Sequence, residues 1–267
     1  MKQPKKLSGG YIMYTKSDLI KNIEAMGIKK TDTLLIHSSM KSIGAVDGGA
    51  ETVLDAFIEH LADDGLLIFP THTWATVPGE TDLYDPETSP SCVGILTNLF
   101  MKRPNTHRSL NPTHSVAAIG KDAEEYVTGE ELFPTPLGKG GCWHKLIDRN
   151  AKIMFLGCPL SKNTFIHGVE EWCEIANRLT ADTVVIKIKQ KDGNIIERPT
   201  YRHQSPVPDV SANYKKMESV YLRKGAASAG KLGDARCIIC DAKKIAAITS
   251  EYLKETPDIF LTEDEIQ

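Results

Sequence analysis

The first part of the chain sets the strongest constraint on the fold, because it predicts a strand, a helix and a second strand in succession. Residues 33–37 and 66–69 are apolar runs of strand length, and residues 50–61 between them repeat apolar side chains at helical spacing. A strand–helix–strand unit of this kind joins two parallel strands of one sheet. With 267 residues, the chain can bury a large core without disulfides or metals. We therefore expect an α/β fold with a parallel-to-mixed central sheet flanked by helices.

The second half of the chain predicts a different strand arrangement. Residues 184–188 and 195–198 alternate in polarity on either side of Lys191-Asp192-Gly193-Asn194, which is typical of a β-hairpin. The other expected elements are strands at residues 114–119, 153–156 and around Cys237, and helices at residues 15–26, 93–102, 122–126, 164–176, 215–223 and 242–253. No linker divides the chain. We therefore expect an antiparallel C-terminal part within a single α/β domain over residues 1–267, with the N-terminal ~14 residues peripheral to it.

Composition and charge exclude several classes of protein. The net charge is −3 and the sequence pI is about 6.3, so no basic surface favours a nucleic-acid partner. No apolar run reaches the ~18 residues of a membrane span, and residues 1–14 lack the apolar core of a signal peptide. We therefore expect a cytoplasmic protein whose six cysteines are reduced thiols. Cys237 and Cys240 form a lone CxxC, which predicts strand packing rather than a zinc site.

A hydroxyl-rich segment follows the first predicted strand directly. Its side chains can donate hydrogen bonds to an anion, and the helix predicted to open at Gly48-Gly49-Ala50 can add the positive end of its dipole. The candidate anion-binding residues are His37, Ser38, Ser39, Lys41, Ser42 and Gly44. A loop whose serines only cap the helix is the alternative that this pattern leaves open. The usual nucleotide-binding sequences G-x-x-x-x-G-K-[ST] and G-x-G-x-x-G do not occur.

A second segment, residues 163–170, sets an imidazole three residues before a carboxylate near the start of a predicted helix. At this spacing His167 and Glu170 lie on one face and can touch. An imidazole oriented by a carboxylate can take a proton from a substrate near neutral pH, so the pair is a candidate general base. A surface pair without a function is the alternative.

The remaining polar candidates occur singly. Four histidines, at positions 72, 114, 144 and 203, lack the H-x-x-x-H spacing that would indicate a metal site, and each alone is typical of a loop or helix cap. Three acids of the loop over residues 71–90, Asp82, Asp85 and Glu87, could attract a polyamine or could simply be solvated.

Four ordered segments of the chain resemble the aminoglycoside 3-N-acetyltransferase family. They are residues 37–44 (His-Ser-Ser-Met-Lys-Ser-Ile-Gly), 69–71 (Phe-Pro-Thr), 108–120 (Arg-Ser-Leu-Asn-Pro-Thr-His-Ser-Val-Ala-Ala-Ile-Gly) and 163–170 (Asn-Thr-Phe-Ile-His-Gly-Val-Glu). The resemblance extends from about Tyr14 to Leu253, and the run over residues 108–120 is its most specific part.

The resemblance implies a particular fold and reaction. The fold is the family's own α/β fold, distinct from that of the general N-acetyltransferase superfamily. The reaction is acetyl transfer from acetyl-CoA, the co-substrate, to a small-molecule amine, without a metal. The acceptor implied first is the 3-amino group of a 2-deoxystreptamine aminoglycoside, as in antibiotic resistance, and a metabolite amine is the alternative. No nucleic-acid or membrane partner is indicated, and a homo-oligomer is left open.

The resemblance also implies roles for individual residues. The turn over residues 38–44 would hold the CoA pyrophosphate, and Thr71, His114 and Ser115 would line the cofactor path. His167 would remove a proton from the acceptor amine, and Glu170 would orient and polarise it. A backbone N–H near Ser38 or Thr71 is the candidate that stabilises the oxyanion. The less favoured hypotheses are a non-catalytic CoA-binding protein and a metal-dependent hydrolase that uses His72, His114, His167 and Glu170.

The chain departs from the family at one loop. Where the family commonly has Gly-Ser-Pro-Trp, this chain has Gly140-Gly141-Cys142-Trp143. A serine hydroxyl is therefore missing near the expected site. Cys142 introduces a thiol there, which we interpret as structural.

Overall fold

The main sheet of the computed structural model, which describes residues 5–6, 12–61 and 63–266, contains seven strands. In spatial order they are β12 (Ala227–Leu232), β13 (Ala235–Asp241), β9 (Lys152–Leu156), β3 (Thr33–Ser38), β5 (Leu66–Pro70), β8 (Val116–Gly120) and β7 (His107–Arg108). Strand β3 pairs in parallel with β5 and β9, whereas the other neighbouring pairs are antiparallel. The predicted α/β fold, with a mixed central sheet and an antiparallel C-terminal part, is confirmed.

Helices cover both faces of this sheet. They are α1 (Lys16–Ala25), α2 (Gly49–Leu61), α3 (Ile95–Phe100), α4 (Ala123–Val127), α5 (Cys142–Asp148), α6 (Thr164–Trp172), α7 (Met217–Arg223) and α8 (Ala242–Glu255). Because side chains alternate along a strand, Leu34 and Ile36 of β3 pack with α1, α2 and α3, whereas Leu35 packs with α4 to α8. Within the described part of the chain, no helix is both long enough and apolar enough to cross a bilayer.

Two smaller sheets lie beside the main one. Strands β10 (Val184–Lys189) and β11 (Ile195–Thr200) form the predicted hairpin, and β10 also pairs in parallel with β6 (Leu83–Tyr84). The other sheet joins β1 (Lys5–Lys6), β2 (Ile12–Tyr14) and β4 (Ala45–Val46). The predicted peripheral position of the N-terminal segment falls largely outside the described residues. The single domain stays a prediction.

Three elements differ from the sequence prediction. Helix α6 ends at Trp172 instead of residue 176, because Glu174 and Asn177 have φ angles of 56° and 61°, a left-handed conformation that a helix cannot continue through. Helix α5 is absent from the prediction, since its first residues follow a glycine-rich loop. Strand β12 is also absent from the prediction, because the Ala, Ser and Gly residues of this strand have low strand propensity. In the structure, β12 is held in the sheet by pairing with β13 along its whole length.

The cysteines lie as predicted for reduced thiols. All six are free, and Cys237 and Cys240 are buried in β13. The CxxC is therefore part of the core.

Candidate active site

A cleft of about 1110 Å³ opens at the carboxyl ends of the three parallel strands. Ser38 ends β3, Pro70 ends β5 and Gly157 follows β9, and all three line the cleft. Ligands of α/β proteins bind at this edge of the sheet, because the strand ends and the loops that follow them converge there. The residues predicted for the site that line the cleft are His37, Ser38, Ser39, His114 and His167.

The predicted pair of His167 and Glu170 lies on one face of α6, with a third residue between the two side chains. Nδ1 of His167 is 3.6 Å from Oε2 of Glu170. The hydroxyl of Tyr214 lies 2.7 Å from that Nδ1 and donates a hydrogen bond to the same carboxylate oxygen. The other oxygen of Glu170 accepts a hydrogen bond of 2.7 Å from Nε of Arg178. Glu170 is completely buried, and both of its oxygens are bound.

The hydrogen bonds in this group determine which nitrogen of His167 carries the proton. Burial alone would raise the pKa of Glu170, but the neighbouring imidazole of His167, together with the hydrogen bonds from Tyr214 and Arg178, holds it below its usual value. An ionised carboxylate only accepts hydrogen bonds, so the single proton of the Tyr214 hydroxyl points to Glu170. Nδ1 of His167 must therefore be the donor to Tyr214, and Nε2 is left with a lone pair.

Four imidazoles form a row along the cleft, in the order His72, His114, His203 and His167. Neighbouring ring centroids are 4.9, 4.7 and 4.6 Å apart, and His203 stacks on His167 at an interplanar angle of 22°. Burial, reinforced by the neighbouring rings, lowers the pKa of His72, His114 and His203 well below the usual value. These three rings are therefore neutral near pH 7. No local pattern in the sequence predicts the row, because its members are far apart in the chain.

The row does not form a metal site. Its members are arranged as a line of ring contacts, in which His203 stacks on His167 and the other neighbouring rings are tilted or edge-on to each other. Among the residues that the structure describes, no group of three or more His, Cys, Asp or Glu side chains could hold a metal ion. The metal-dependent hydrolase hypothesis thus lacks the set of ligands it requires.

The predicted phosphate-binding turn is attached to the end of β9. The N–H of Ser39 donates to the carbonyl of Leu156 at 2.8 Å, and the hydroxyl of Ser42 donates to the carbonyl of Gly157 at 2.9 Å. A single 3-10 turn, Met40–Ser42, lies between these two anchors. The turn is therefore held in place without a ligand.

Only part of this turn reaches the cleft. Ser38 and Ser39 line it, whereas Lys41, Ser42 and Gly44 do not. Gly44 has a φ of 86° and passes so close to the carboxylate of Asp234 that a side chain there would require this carboxylate to move. The first residues of α2 are also absent from the cleft wall, so the expected contribution of that helix dipole is not seen at the cleft.

Thr71 and Ser115 are buried behind the cleft wall. Their hydroxyls are 2.8 Å apart, and the N–H of Thr71 donates to the carbonyl of Ser115 at 2.7 Å. Arg108 donates to both hydroxyls, at 3.1 and 3.3 Å. Neither side chain lines the cleft, so the predicted contact of Thr71 and Ser115 with the cofactor stays a prediction. The Thr71 N–H is already bound within the protein and is not free to stabilise an oxyanion.

The loop that departs from the family is tightly packed. A Cβ at Gly141 would lie 2.5 Å from Oε1 of Glu130 and 3.0 Å from the carbonyl of Gly138, so a serine cannot replace this glycine without movement. The thiol of Cys142 donates to the carbonyl of Tyr126 at 3.3 Å, and burial raises its pKa well above the usual value. Cys142 is buried in the core and does not line the cleft, which agrees with a structural role.

Asn163 is a cleft residue that the sequence analysis did not single out. It precedes the first turn of α6 and is 1% exposed. Neither its side-chain oxygen nor its nitrogen has a hydrogen-bond partner among the described residues. Because a buried amide without partners is destabilising, this side chain is suited to receive a polar group of a ligand.

Comparison with known proteins identifies relatives along most of the chain. Residues 35–254 match the sequence model of the aminoglycoside 3-N-acetyltransferase family. A Salmonella protein named aminoglycoside N(3)-acetyltransferase III is 27% identical over 91% of this chain and 92% of its own length. The Bacillus subtilis protein YokD, named as SPβ prophage-derived and aminoglycoside N(3')-acetyltransferase-like, is 27% identical over 58% of this chain and 64% of its own.

Solved structures share the fold. AAC-IIIb in a binary complex with CoASH superposes with a TM-score of 0.80 at 22% identity, over 91% of this chain and 97% of that one. A histidine-to-alanine variant of AAC(3)-IVa in complex with a gentamicin also gives a TM-score of 0.80 at 22% identity, over 95% and 93% of the two chains.

Proposed function

Because this chain belongs to the aminoglycoside 3-N-acetyltransferase family, and is therefore an acyltransferase, we propose that it transfers the acetyl group of acetyl-CoA to a primary amine bound in the cleft. One observation carries the proposal: His167 lines the cleft while its Nδ1 is bound to Tyr214. The remaining nitrogen, Nε2, can accept a proton from a substrate. Binding alone needs no such base, so the non-catalytic CoA-binding hypothesis is the weaker one.

His167 acts as the general base. An ammonium group has no lone pair, so Nε2 of His167 must take a proton before the amine nitrogen can attack the thioester carbonyl. The amine nitrogen attacks to form the C–N bond of a tetrahedral oxyanion, and the C–S bond breaks as this intermediate collapses. The CoA sulfur leaves with the proton that His167 returns, and the second proton of the original ammonium passes from the nitrogen to solvent. Glu170, through Tyr214, stabilises the imidazolium that forms in between. General-base catalysis is worth roughly 10²–10⁴-fold, and holding both substrates in place can contribute ~7–11 kcal/mol.

The choice of acetyl-CoA as donor is supported by a neighbour and by the cleft itself. The AAC-IIIb structure is named as a complex with CoASH. In this chain Ser38, Ser39 and the exposed Lys162 line the cleft and offer hydrogen bonds and a positive charge to phosphate groups. We retain His37 and His114 as cofactor contacts because both line the same cleft.

Asn163 is our candidate for the group that stabilises the oxyanion. Its amide lies in the cleft wall four residues before His167 in the chain, at the positive end of the α6 dipole. Its Nδ2 donors are not engaged by any described residue. A preformed donor in a water-poor wall can stabilise charge that develops only in the transition state.

Two acceptor classes remain. The family description and the names of the relatives favour the 3-amino group of a 2-deoxystreptamine aminoglycoside. An amine outside that class is the second candidate, and the sparse negative charge of the cleft favours it.

The test is release of CoA thiol from acetyl-CoA, measured against a panel of aminoglycosides and simple amines. We expect His167→Ala to lower kcat by roughly 10²–10⁴-fold while acetyl-CoA still binds. The matched control is His107→Ala, because His107 is a histidine of β7 that lies outside the cleft. Asn163→Ala should lower kcat more than it changes the KM for acetyl-CoA.

The outcomes separate the hypotheses. Full turnover in His167→Ala would remove His167 from the role of base. Tight acetyl-CoA binding without CoA release for any amine would favour the non-catalytic hypothesis. Stoichiometric zinc in the purified protein, with hydrolysis that depends on it, would favour the hydrolase.

A further inference from the structure

The charged side chains of the cleft limit which acceptor can bind. Among the residues described, the cleft lining contains three formally charged side chains: Lys162, Arg202 and Asp209. The buried imidazoles of the lining are neutral near pH 7, because burial holds their pKa values low. The cleft is therefore slightly positive, although an aminoglycoside carries several ammonium groups.

The acids of the long loop do not compensate. The carboxylate of Asp82 pairs with Lys187 at 2.8 Å, and that of Asp85 pairs with Lys189 at 2.9 Å. Both lysines belong to β10, so the hairpin neutralises two of the three acids that the sequence suggested as a polyamine site; the third, Glu87, does not line the cleft. This neutralisation removes an attraction that a polycationic acceptor would need.

Two further acids close to the cleft are also bound to other groups of the protein. Both oxygens of Glu170 accept hydrogen bonds, from Arg178 and Tyr214. Glu171 accepts from the hydroxyl of Thr135 and the N–H of Leu137. Neither acid lines the cleft.

Arg202, by contrast, carries a positive charge that is available to a ligand. Its guanidinium is within ion-pair distance of no carboxylate in the described part of the chain. The backbone is fixed, because its N–H donates to the hydroxyl of Thr180 at 3.0 Å and its carbonyl accepts from the Thr180 N–H at 2.9 Å. The next residue, His203, stacks on His167. The backbone of Arg202 is thus fixed next to a residue that stacks on the base, and its exposed side chain lines the same cleft.

Lys162, the other cation, is better placed for the cofactor. It ends the 3-10 turn Leu160–Lys162 after β9. The end of β9 is also where Ser42 of the predicted phosphate-binding turn is attached, through the carbonyl of Gly157. Arg202 is therefore the cation left for the acceptor.

We propose that the acceptor is an amine that also carries an anionic group, a carboxylate or phosphate, which pairs with Arg202, and that it is not a polycation. This inference rests on the proposed acetyl transfer and specifies its acceptor. Arginine suits the role, because its planar fork of donors matches the oxygens of a carboxylate or phosphate.

The experiment compares three probes that differ in charge: glucosamine 6-phosphate, glucosamine and kanamycin B. Each is titrated calorimetrically into the CoA-saturated protein, for the wild type, Arg202→Gln and Arg202→Glu. The matched control is Lys191→Gln, which removes a lysine that pairs with Glu124 and lies outside the cleft. In the wild type we expect glucosamine 6-phosphate to bind at least ~10-fold more tightly than glucosamine, and kanamycin B to bind most weakly.

Arg202→Gln should bring the affinities for the two glucosamines within about 2-fold of each other, and Arg202→Glu should shift the preference towards kanamycin B. Lys191→Gln should leave the wild-type order intact. Three results would each overturn the inference: kanamycin B as the tightest wild-type ligand, an order that Arg202→Gln leaves unchanged, or no binding of glucosamine 6-phosphate. Acetylation of kanamycin B that depends on His167 would overturn only this inference, whereas a failure to bind CoA or to release it with any amine would overturn the proposed function itself.

Discussion

Two groups of buried polar side chains, both from segments that the sequence analysis singled out, differ in one respect. In the first, which we call the Arg108 network, the guanidinium of Arg108 donates to Thr71, Ser115 and the carbonyls of Pro86 and Ser89. Every group of that network binds another part of the protein.

In the second, the Glu170 network, Arg178 and Tyr214 donate hydrogen bonds to the carboxylate. The Tyr214 hydroxyl is also hydrogen-bonded to Nδ1 of His167. This network ends at a nitrogen beside the cleft. Both networks come from family motifs, so the motif alone does not tell a structural network from an active-site network. The difference is that the Glu170 network leaves one polar atom available to a ligand and the Arg108 network leaves none.

The largest effect should come from breaking the closed network. Arg108→Met removes, from a side chain that is itself buried, the donor to the hydroxyls of Thr71 and Ser115 and to the carbonyls of Thr71, Pro86 and Ser89. We expect the free energy of unfolding to fall by about 3 kcal/mol or more. Urea denaturation followed by circular dichroism measures this.

The matched control for that variant is Arg103→Met, because Arg103 pairs with Glu51 and Asp55 at the surface. Exposed ion pairs contribute little, so the control should lose no more than about 1 kcal/mol. Equal losses in the two arginine variants would mean that the Arg108 network does not stabilise the fold.

The same difference explains how far the sequence could predict the site. His167 and Glu170 are three residues apart, so helical geometry alone placed them together. Tyr214 and Arg178 reach Glu170 from 44 and 8 residues away, and no local pattern indicates such contacts. Spacing therefore predicts a pair within one helix, whereas packing between elements brings in the residues that orient it.

The fold follows the same division. The apolar runs of β3, β5 and β9 predict their strands, because a strand that is buried in the sheet consists mostly of apolar residues that are consecutive in the sequence. Strand β12 has no apolar run of this kind. Its Gly230 packs against Met26, and a side chain at this position would collide with Met26. Its small residues reflect a tertiary contact, so propensity could not identify the strand.

A medium effect should come from opening the second network at its centre. Tyr214→Phe keeps the ring but removes the hydroxyl between His167 and Glu170, so Nδ1 of His167 loses its acceptor. We expect kcat to fall by about 10- to 100-fold, with a smaller change in KM. The control is Tyr221→Phe, because the Tyr221 hydroxyl is buried against Thr249 and away from the cleft; a similar loss of turnover there would make the effect structural.

The pH dependence of stability provides an independent measure of the same network. The folded-state pKa of Glu170 lies below its usual value, so the carboxylate stabilises the fold above its unfolded pKa, and this stabilisation is lost as the pH falls through the folded pKa. Tyr214→Phe removes one of the hydrogen bonds that lower the pKa. The variant should therefore begin to lose stability at a higher pH than the wild type when unfolding is measured between about pH 3 and 7. Parallel curves for the two proteins would contradict the role given to Tyr214.

The smallest effect should come from Ser115→Ala, which removes one hydroxyl from the Arg108 network. Thr71 keeps its contact with Arg108, so the unfolding free energy should fall by only about 1–2 kcal/mol. Because Ser115 lies behind the cleft wall, the KM for acetyl-CoA should not change. Ser39→Ala is the matched comparison, since Ser39 lines the cleft. This variant should have a higher KM for acetyl-CoA than the wild type. If Ser115→Ala raises the KM as much as Ser39→Ala, the closed network contacts the cofactor after all, and the distinction between the two networks fails.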